Sequence, residues 1–578
     1  MLGSKIVYET LLKNNVKHIF GYSGGAILPV LNELYGQDKI KFIMSRTELG
    51  GSFMAEGYSK TNKYNNPGVI MTTSGPGALN IITSLQNSYS DGTPLLALCG
   101  QVSTEVLGTN AFQEADVINI SKPCTKWNRQ IKDGNLINII LNLGFQNIYN
   151  QRHGPVLIDL PKNIMSAKFE PKFTCYISKF SDFERKSNIC PKQIIKLILN
   201  SRRPVILAGQ GVLQSKSSLM LNLFAKKYNI PVTTTLMGLG SFNEKDSLSL
   251  KMLGMHGSFA ANMAIQNSDL LLNFGSRFDD RIIGNPQRFA KRAKIIHIDI
   301  LEKNINKTIK SDFYINDNCQ TVLCELLQIK GEKDTNKENI NFQEWHDKIK
   351  SWKIINFSYP ERKNVIQGRH VISLINKIIH KDKIHNYTIV ADVGAHQMWT
   401  AQFIDYCYPK VKFLTSGGLG SMGFALPASI GVKIGDPDEK VICICGDGGF
   451  TMSMVEIITA VNNKINVKIF VINNNYQLMV KMWQEMFYDN RIIGTDMNNP
   501  NFEKICESMG CKSLKIDSNE NIEQKIFEIL NYEEGPIVAN IITTSDEAVL
   551  PMVIPGASLD NMVIHENKKQ KYTGDAPC

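Results

Sequence analysis

The chain has 578 residues, of which 43% are hydrophobic and 20% are charged. This length exceeds what one hydrophobic core supports, so it predicts three domains. The formal net charge of +10 is spread along the chain as single lysines and short pairs. That distribution favours an ordinary solvated surface and argues against a nucleic-acid groove. Because no apolar run is long enough to cross a bilayer, we expect neither a nucleic-acid nor a membrane partner.

The start of the chain predicts a helix and no signal peptide. Its first residues lack the basic-then-apolar order of such a peptide. Ser4 is a candidate N-cap for a helix that carries Val7, Leu11 and Leu12 on one side. The twelve cysteines form no CxxC pair and no metal-like spacing. They predict free thiols in a reducing compartment.

The first segment, residues 1–168, alternates helical patterns with short apolar strands. Glycine or proline follows nearly every strand, as in TSGPG and LIDLPK. Such alternation predicts a doubly wound α/β domain.

A polar connection, residues 169–190, leads to the second segment, residues 191–328. A strand entering a glycine loop, residues 203–211, is followed by two more strands, the last of which contains Asp299. A GxG pattern alone is weak evidence for a nucleotide, but the order of elements resembles a nucleotide-type α/β unit. Residues 329–345 are charged and poor in apolar side chains, which predicts a linker.

The third segment, residues 365–545, contains the pattern strand, glycine turn, helix, strand. The apolar run VICIC stops at GDGG, and a second apolar run stops at NNN. Between them Met454, Ile458 and Val461 recur at helical spacing, which predicts a helical crossover. The tail, residues 546–578, begins with a proline- and glycine-containing stretch that favours an ordered loop over a helix. The fold class predicted is therefore α/β, with three doubly wound parallel-sheet domains.

Two oxygen-bearing side chains, Asp447 and Asn474, follow the two strands of this pattern. In an open parallel sheet, ligands bind beyond the carboxyl ends of the strands. Carboxylate and amide oxygens suit Mg²⁺, which commonly holds a phosphate group as well. The glycines let the backbone approach that phosphate, and a helix N-terminus favours its charge. A bare GDG is an ordinary turn, but in this strand context the pattern is typical of thiamin diphosphate enzymes.

Further motifs narrow that resemblance. They occur in the order FGYSGGAILPV, MAEGYSK, TSGPGALN, GTNAFQEADV, CTKWN, GPVLIDLPK, FGSRFDDR, HQMW, GDGG and INNN. In combination they resemble the catalytic (large) subunits of acetohydroxyacid synthase, also called acetolactate synthase, over about residues 4–565. The resemblance implies thiamin diphosphate, Mg²⁺ and FAD as cofactors.

The reaction implied by the resemblance joins two 2-oxo acids. Pyruvate is decarboxylated, and its two-carbon unit is added to a second 2-oxo acid. Pyruvate as the acceptor gives 2-acetolactate, and 2-oxobutanoate gives 2-aceto-2-hydroxybutanoate. These products open the synthesis of valine, leucine and isoleucine.

The resemblance also implies roles for residues around thiamin diphosphate. Glu48, in SRTELGG, stands where the family's glutamate contacts the pyrimidine ring; a lone glutamate there would otherwise be a helix-start carboxylate. Asp447, Asn474 and the backbone carbonyl of Tyr476 would bind Mg²⁺. The diphosphate end and the support under the bent cofactor would be formed by His396, Gln397, Gly448 and Met422, although a methionine in a glycine-rich segment is more often a core filler.

The middle segment is expected to hold FAD, and a second subunit is expected to complete the site. The residues implied for FAD are Arg152, His256, Gly257, Gly275, Arg277, Asp299 and Asp317. Arg281 would pair with the carboxylate of the second 2-oxo acid, or form a surface salt bridge with Asp279 or Asp280. Trp483 would shape the acceptor pocket, although a lone tryptophan is usually core. The residues reaching the partner subunit's active site would be Phe112, Gln113 and Lys162.

A homodimer or homotetramer with a small regulatory subunit is therefore expected. The lack of a transit peptide fits the stroma of a plastid that encodes the protein itself, or the bacterial cytoplasm.

Several positions depart from the family pattern. Thr47 and Leu49 flank Glu48 where histidine and glutamine are usual. The other departures are Ser23, Leu79, Ser103, Asn110, Ala395, Leu478 and Met482. None removes Glu48 or a metal ligand, so we expect an active enzyme with altered affinity for cofactor or acceptor.

Two alternatives stay open at this point. One is another FAD and thiamin diphosphate enzyme, such as pyruvate oxidase or glyoxylate carboligase; the latter lacks the pyrimidine glutamate, so Glu48 argues against it. The other is a degenerate, non-catalytic cofactor-binding partner.

Overall fold

A computed structural model describes residues 1–61, 63, 66–171, 184–329, 342–355, 362 and 364–564. Within these ranges the chain forms three large sheets and one short two-stranded sheet. Parallel strands dominate each large sheet, which confirms the predicted α/β class. Parts of the polar connection, the linker and the tail, namely residues 172–183, 330–341 and 565–578, lie outside the described residues.

The first sheet has the strand order β2-β1-β3-β4-β6-β5, and all its strands run parallel. Its strands are β1 (His18–Gly21), β2 (Lys41–Met44), β3 (Gly68–Thr72), β4 (Leu95–Gln101), β5 (Trp127–Gln130) and β6 (Pro155–Pro161). The helices are α1 (Gly3–Lys13), α2 (Leu28–Asn32), α3 (Glu48–Thr61), α4 (Pro76–Leu79), α5 (Ile82–Asp91), α6 (Val117–Ser121), α7 (Ile137–Tyr149) and α8 (Lys162–Ser166).

The second sheet has the order β10-β9-β8-β11-β12-β13-β7, and its edge strand β7 runs antiparallel to β13. Its strands are β7 (Lys186–Ser187), β8 (Pro204–Ala208), β9 (Val232–Thr234), β10 (Ser249–Met252), β11 (Leu270–Phe274), β12 (Lys294–Asp299) and β13 (Phe313–Asn316). The helices are α9 (Pro191–Asn200), α10 (Gln210–Gln214), α11 (Ser218–Tyr228), α12 (Phe259–Asn267), α13 (Asp280–Ile283), α14 (Cys319–Gln328) and α15 (Gln343–Lys353).

The third sheet has the order β15-β14-β16-β17-β19-β18, again all parallel. Its strands are β14 (Tyr387–Ala391), β15 (Val411–Leu414), β16 (Lys440–Gly446), β17 (Lys468–Asn473), β18 (Lys512–Ile516) and β19 (Ile537–Ile542). The helices are α16 (Gly368–Ile379), α17 (Ala395–Phe403), α18 (Ala425–Gly435), α19 (Asp447–Ser453), α20 (Ile457–Asn462), α21 (Leu478–Phe487), α22 (Phe502–Ser508) and α23 (Ile522–Leu530). The tail forms β20 (Met552–Val553) and β21 (Met562–Val563), without a helix in its described part.

A close helix pair joins the first domain to the third. A Cβ on Gly57 of α3 would lie 2.0 Å from the carbonyl oxygen of Ala428 in α18. A Cβ on Gly431 of α18 would lie 1.8 Å from the carbonyl oxygen of Met54. Only glycine fits at these two positions, and the two helices share one buried core. Helix α3 therefore has its place set by the third domain.

Three local predictions were wrong. Ser4 does not cap α1, which begins at Gly3; its hydroxyl instead donates to Glu33 Oε1 at 2.9 Å. The predicted linker extends too far, because α15 begins at Gln343 and buries Trp345, whose indole N–H donates to the Pro204 carbonyl at 3.1 Å. Burial of the Trp345 side chain stabilises a helix there despite the charged residues around it.

The crossover between β16 and β17 also differs from the prediction. It is not one helix, because a 3₁₀ turn, Met454–Glu456, separates α19 from α20. This turn shifts the phase of the helix. The residues whose spacing predicted the helix are only half-buried: Met454, Ile458 and Val461. After the turn begins, the fully buried side chains are instead those of Glu456, Ile457, Thr459 and Ala460.

Candidate active site

Two strand ends bring the predicted metal ligands together. Strands β16 and β17 are neighbours, with Gly446 paired to Ile472, so Asp447 and Asn474 each follow the carboxyl end of adjacent strands. Both strands are buried on both faces, as expected for central parallel strands. Asp447 Oδ1 accepts from the backbone N–H of Gly448 at 3.0 Å. Burial raises the pKa of Asp447.

Asn499, on the loop before α22, links the two strand ends by hydrogen bonds. Its amide nitrogen donates to Asp447 Oδ2 at 2.7 Å and to Asn473 Oδ1 at 3.1 Å. The residue therefore orients the carboxylate from a distant part of the chain. It was not predicted from the sequence, because nothing near Asn499 marks it as part of a site.

His396, near the start of α17, lies behind the same turn. Burial lowers the pKa of His396 to about 3, so the imidazole is neutral. The backbone N–H of Gly446 donates to His396 Nε2 at 3.2 Å; the proton of the ring must then be on Nδ1. Next to it, the buried amide of Gln397 donates to Thr415 Oγ1 at 2.6 Å.

The loop that bears Met422 is held by a buried aspartate. Asp392 accepts from the backbone N–H groups of Gly423 and Ala425 at 3.0 and 3.1 Å. Its pKa is raised to about 6 by burial. A Cβ on Gly448 would lie 3.3 Å from the methyl carbon of Met422. This places the methionine over the start of α19.

A cavity of about 1030 Å³ connects the third domain with the middle one. Its volume is at the upper end of the ~300–1,000 Å³ typical of single small-molecule sites. Most of the predicted residues line it: Arg152, His256, Gly275, Arg277, Arg281, Asp299, His396, Gln397, Met422, Asp447, Gly448, Asn474, Tyr476 and Trp483.

The cavity wall on the side of the middle domain is built by glycines of that domain, by His256 and by Arg152 of the first domain. A Cβ on Gly211, at the start of α10, would lie 2.7 Å from the Cα of Gly275, just after β11, so the helix and the loop touch through their backbones. His256 is buried, and neither of its ring nitrogens makes a well-aligned hydrogen bond within the described residues, although the backbone of Pro551 and Val549 lies close to the ring. The guanidinium of Arg152 donates to the carbonyls of Tyr89 and Ser90 at 2.7 and 2.6 Å.

Arg281 lies at the mouth of the same cavity. Its Nε is 3.7 Å from Asp280 Oδ2, and 62% and 80% of the two side chains are exposed. The surface salt bridge considered as an alternative is therefore present with Asp280, whereas Asp279 pairs with Arg277. An exposed pair of this kind is weak, so the guanidinium remains able to bind another carboxylate.

Six predicted residues do not line the cavity of their own chain. They are Glu48, Phe112, Gln113, Lys162, Gly257 and Asp317. Asp317 instead lies 3.5 Å from Arg185 Nη1. The other residues outside the cavity, except Gly257, belong to the first domain: Glu48, Phe112, Gln113 and Lys162.

Glu48 and Gln113 lie on one surface of the first domain. Glu48 Oε2 accepts from Asn80 Nδ2 at 3.0 Å. A Cβ on Gly77 would lie 3.4 Å from Glu48 Oε1, and one on Gly75 would lie 3.0 Å from the Cα of Gln113. Phe112 beside them is 88% exposed. The loop is nevertheless ordered, because Glu114 accepts from the backbone N–H groups of Gly108 and Ala111.

Four of the departures from the family pattern have a structural explanation. Asn110 has φ +61°, a conformation that asparagine tolerates better than most residues. Leu478 and Met482 are one helical turn apart on α21 and are buried in the core of the third domain. Thr47 contacts a buried glutamate, described below. Nothing in the structure explains Ser23.

Comparison with known proteins shows which family the three domains belong to. Residues 1–120, 191–326 and 392–541 match, in order, the N-terminal TPP binding, central and C-terminal TPP binding domains of thiamine pyrophosphate enzymes. The chain is 39% identical to the mitochondrial acetolactate synthase catalytic subunit of Aspergillus candidus, over 98% of this chain and 84% of that relative. It is 37% identical to the acetolactate synthase large subunit of Lactococcus lactis, over 97% of this chain and 96% of that relative.

The chain belongs to the acetolactate synthase catalytic-subunit family. A further large subunit, from Cyanidium caldarium, is 36% identical over 97% of this chain. The resemblance noted from the motifs is thus confirmed. The matched TPP binding domains also support thiamin diphosphate as a cofactor.

The helices and cysteines agree with the sequence predictions, whereas three orienting residues were not predicted. No helix among the described residues is both long and apolar enough to span a membrane. The cysteines that the structure describes are all free thiols. The orienting residues Asp392 and Asn499 were missed because their partners lie in other elements and leave no pattern in the local sequence. Glu114 was missed although its partners, Gly108 and Ala111, lie in the same loop.

Proposed function

We propose that this protein is the catalytic subunit of an acetolactate synthase. It would decarboxylate pyruvate and join the two-carbon unit to pyruvate or to 2-oxobutanoate. The observation that carries the proposal is that Asp447, Asn474 and the middle domain's Arg281 line the same cavity. A phosphate-and-metal site and a carboxylate-binding guanidinium are then within one enclosure, as a reaction between a cofactor and a 2-oxo acid requires.

The residues at the strand ends fit thiamin diphosphate and Mg²⁺. Asp447 supplies one charged oxygen, and Asn474 and the Tyr476 carbonyl supply neutral ones; Mg²⁺ commonly uses one or two carboxylates with substrate phosphates. No cluster of three or more His, Cys, Asp or Glu side chains suited to a metal occurs in the described ranges, so the phosphates would complete the coordination. The cofactor, when bound, supplies the electron sink for decarboxylation.

The middle-domain half of the cavity fits FAD. Its volume leaves room beyond one cofactor. The ring nitrogens of His256 are buried polar atoms without a well-aligned hydrogen bond in the described residues, and a ligand would supply one. Arg152 and Arg277 supply positive charge for a diphosphate. We therefore propose that FAD binds against these residues and Asp299.

The protein's own groups would orient the substrates and control proton transfer. Arg281 would hold the acceptor carboxylate, and Trp483 would limit the acceptor's size. Glu48 would hold a proton at the pyrimidine ring of the cofactor. Phe112, Gln113 and Lys162 would close the site and exclude water.

We propose a homodimer or homotetramer, because Glu48 does not line the cavity of its own chain. A second subunit would bring its first-domain surface, with Glu48 and Phe112, over that cavity. The exposure of Phe112 in the single chain supports this arrangement. A small regulatory subunit is a further proposed partner, and plastid stroma or bacterial cytoplasm is the proposed location.

The test is acetolactate production from pyruvate with Mg²⁺, thiamin diphosphate and FAD. We expect turnover, and we expect Glu48→Gln to reduce kcat by about 10²–10⁴-fold, the usual contribution of a positioned acid or base. Absence of product above the Glu48→Gln background would contradict the proposal and favour a non-catalytic partner. Rapid reduction of FAD in proportion to pyruvate would instead indicate an oxidase. Product analysis with pyruvate and 2-oxobutanoate present together measures the preference between the two acceptors.

A further inference from the structure

We propose that Glu456 is a positioning residue for Glu48: its carboxylate, from the third domain, caps the helix on which Glu48 stands. The inference rests on the proposed function, since it assigns Glu48 the role described above. Glu456 lies far from Glu48 in the sequence and does not line the cavity.

The hydrogen bonds show how the cap is built. The backbone N–H of Arg46 donates to both carboxylate oxygens of Glu456, at 3.1 and 3.0 Å, and that of Thr47 donates to Oε1 at 2.9 Å. Helix α3 begins at the next residue, Glu48. The first N–H groups of a helix have no partner within it, and a negative charge there is favoured by the helix dipole. Glu456 therefore fixes where α3 starts and how its first residue is oriented.

The side chain of Thr47 completes the cap. Its hydroxyl donates to Glu456 Oε1 at 3.1 Å and accepts from the backbone N–H of Gly50 at 2.9 Å. A Cβ on Gly50 would lie 2.2 Å from the same carboxylate oxygen, so only glycine admits Glu456 this closely. The residue that departs from the family's usual histidine is thus part of the cap.

Glu456 is itself rigidly held. It is fully buried, and Thr459 Oγ1 donates to its Oε2 at 2.7 Å. It stands on the 3₁₀ turn that follows α19, and α19 begins at Asp447. Burial raises the pKa of Glu456, while the hydrogen bonds from Thr459, Arg46 and Thr47 lower it. One short segment therefore links the metal-binding turn to the start of the Glu48 helix.

The experiment measures proton exchange at C2 of bound thiamin diphosphate in the reconstituted full-length protein. This exchange depends on the placement of Glu48 and not on the acceptor substrate. We expect Glu456→Gln to lower the exchange rate and kcat by about 10–100-fold, because a small misplacement of a catalytic group has effects of that order. The affinity for thiamin diphosphate and the KM for pyruvate should change less than about threefold.

Two further comparisons separate positioning from general destabilisation. Thr47→Val removes the hydroxyl at constant shape and should lower the exchange rate, whereas Thr47→Ser should retain it; this pair decides the question if Glu456→Gln does not fold. The matched control is Glu439→Gln, since Glu439 is also buried in the third domain but accepts from Thr388 and pairs with Lys412. The Glu439→Gln protein should exchange the C2 proton of bound thiamin diphosphate at the wild-type rate.

Two outcomes would overturn the inference in different ways. Wild-type exchange in both Glu456→Gln and Thr47→Val, beside a slow Glu48→Gln, would refute the positioning role and leave the proposed function intact. Wild-type protein that exchanges no faster than Glu48→Gln would refute the proposed function, and the inference with it.

Discussion

At the turn proposed to bind Mg²⁺, Asn499 orients Asp447, the carboxylate among the proposed ligands. Asn499 donates to Asp447 Oδ2 and also reaches Asn473 and Asn475. Groups that orient metal ligands typically contribute about 10–100-fold to metal affinity or activity. Asn499 is thus the residue whose loss should act most directly on Asp447 without removing a ligand.

We expect Asn499→Ala to weaken Mg²⁺-dependent binding of thiamin diphosphate by about 10–100-fold. The measurement is a titration of the cofactor at several Mg²⁺ concentrations, followed by calorimetry. Asn463→Ala is the matched control, because the Asn463 side chain donates to the Thr459 carbonyl one turn earlier. Equal affinities for the two variants would contradict the orienting role.

At the scale of elements, helix α21 accommodates two departures as a pair. Leu478 and Met482 are 7% and 6% exposed and pack in the same core as Trp399 and Ile472. Side chains four residues apart lie on one face of a helix. Both of these departures are apolar, so together they bury this face of α21.

Leu478→Gly should therefore destabilise the third domain. Removing a buried leucine side chain costs about 2–5 kcal/mol, which should appear as a clear fall in the thermal midpoint measured by circular dichroism. Val480→Gly is the control on the same helix: Val480 is 48% exposed, and the change should cost about 0.5 kcal/mol. Similar midpoints for the two variants would show that the leucine face is not packed as described.

At the scale of the whole molecule, a buried carboxyl group joins the middle domain to the third. Glu244 Oε2 accepts from the backbone N–H of Tyr406 at 2.8 Å, and its own N–H donates to the Tyr406 carbonyl at 3.0 Å. Burial raises the pKa of Glu244 to about 8, against the lowering effect of Lys251. The folded protein therefore retains this proton over a pH range in which the unfolded chain releases it.

The sign of the pH effect follows from that difference. The contribution of Glu244 to stability is fully present below its unfolded pKa of about 4.5 and is lost as the pH rises towards its folded pKa of about 8. Glu244→Gln mimics the neutral form, so its thermal midpoint relative to wild type should rise between pH 6 and pH 8.5. The exposed Glu520→Gln should keep a constant difference. A constant difference for Glu244→Gln as well would refute the pKa assignment.

Much of the fold was predictable because it depends on local patterns. The apolar run at residues 270–274 forms β11, and the run at residues 441–445 lies within β16. Both are recognisable because a strand buried on both faces is mostly apolar. The wrong predictions were those that depend on contacts. Ser4 has a distant partner in Glu33, and Trp345 has one in Pro204.

The sequence by itself determined the strand–glycine–strand pattern that brings Asp447 and Asn474 to adjacent strand ends, because parallel strands joined by a crossover place their carboxyl ends at one edge. It also determined the family, through motifs spread over the whole chain. Only the tertiary structure decided what holds these groups in place: Asn499 on Asp447, Asp392 behind Met422, and Glu456 at the start of the Glu48 helix. The physical reason is that each of these is a hydrogen bond between elements that folding alone brings together.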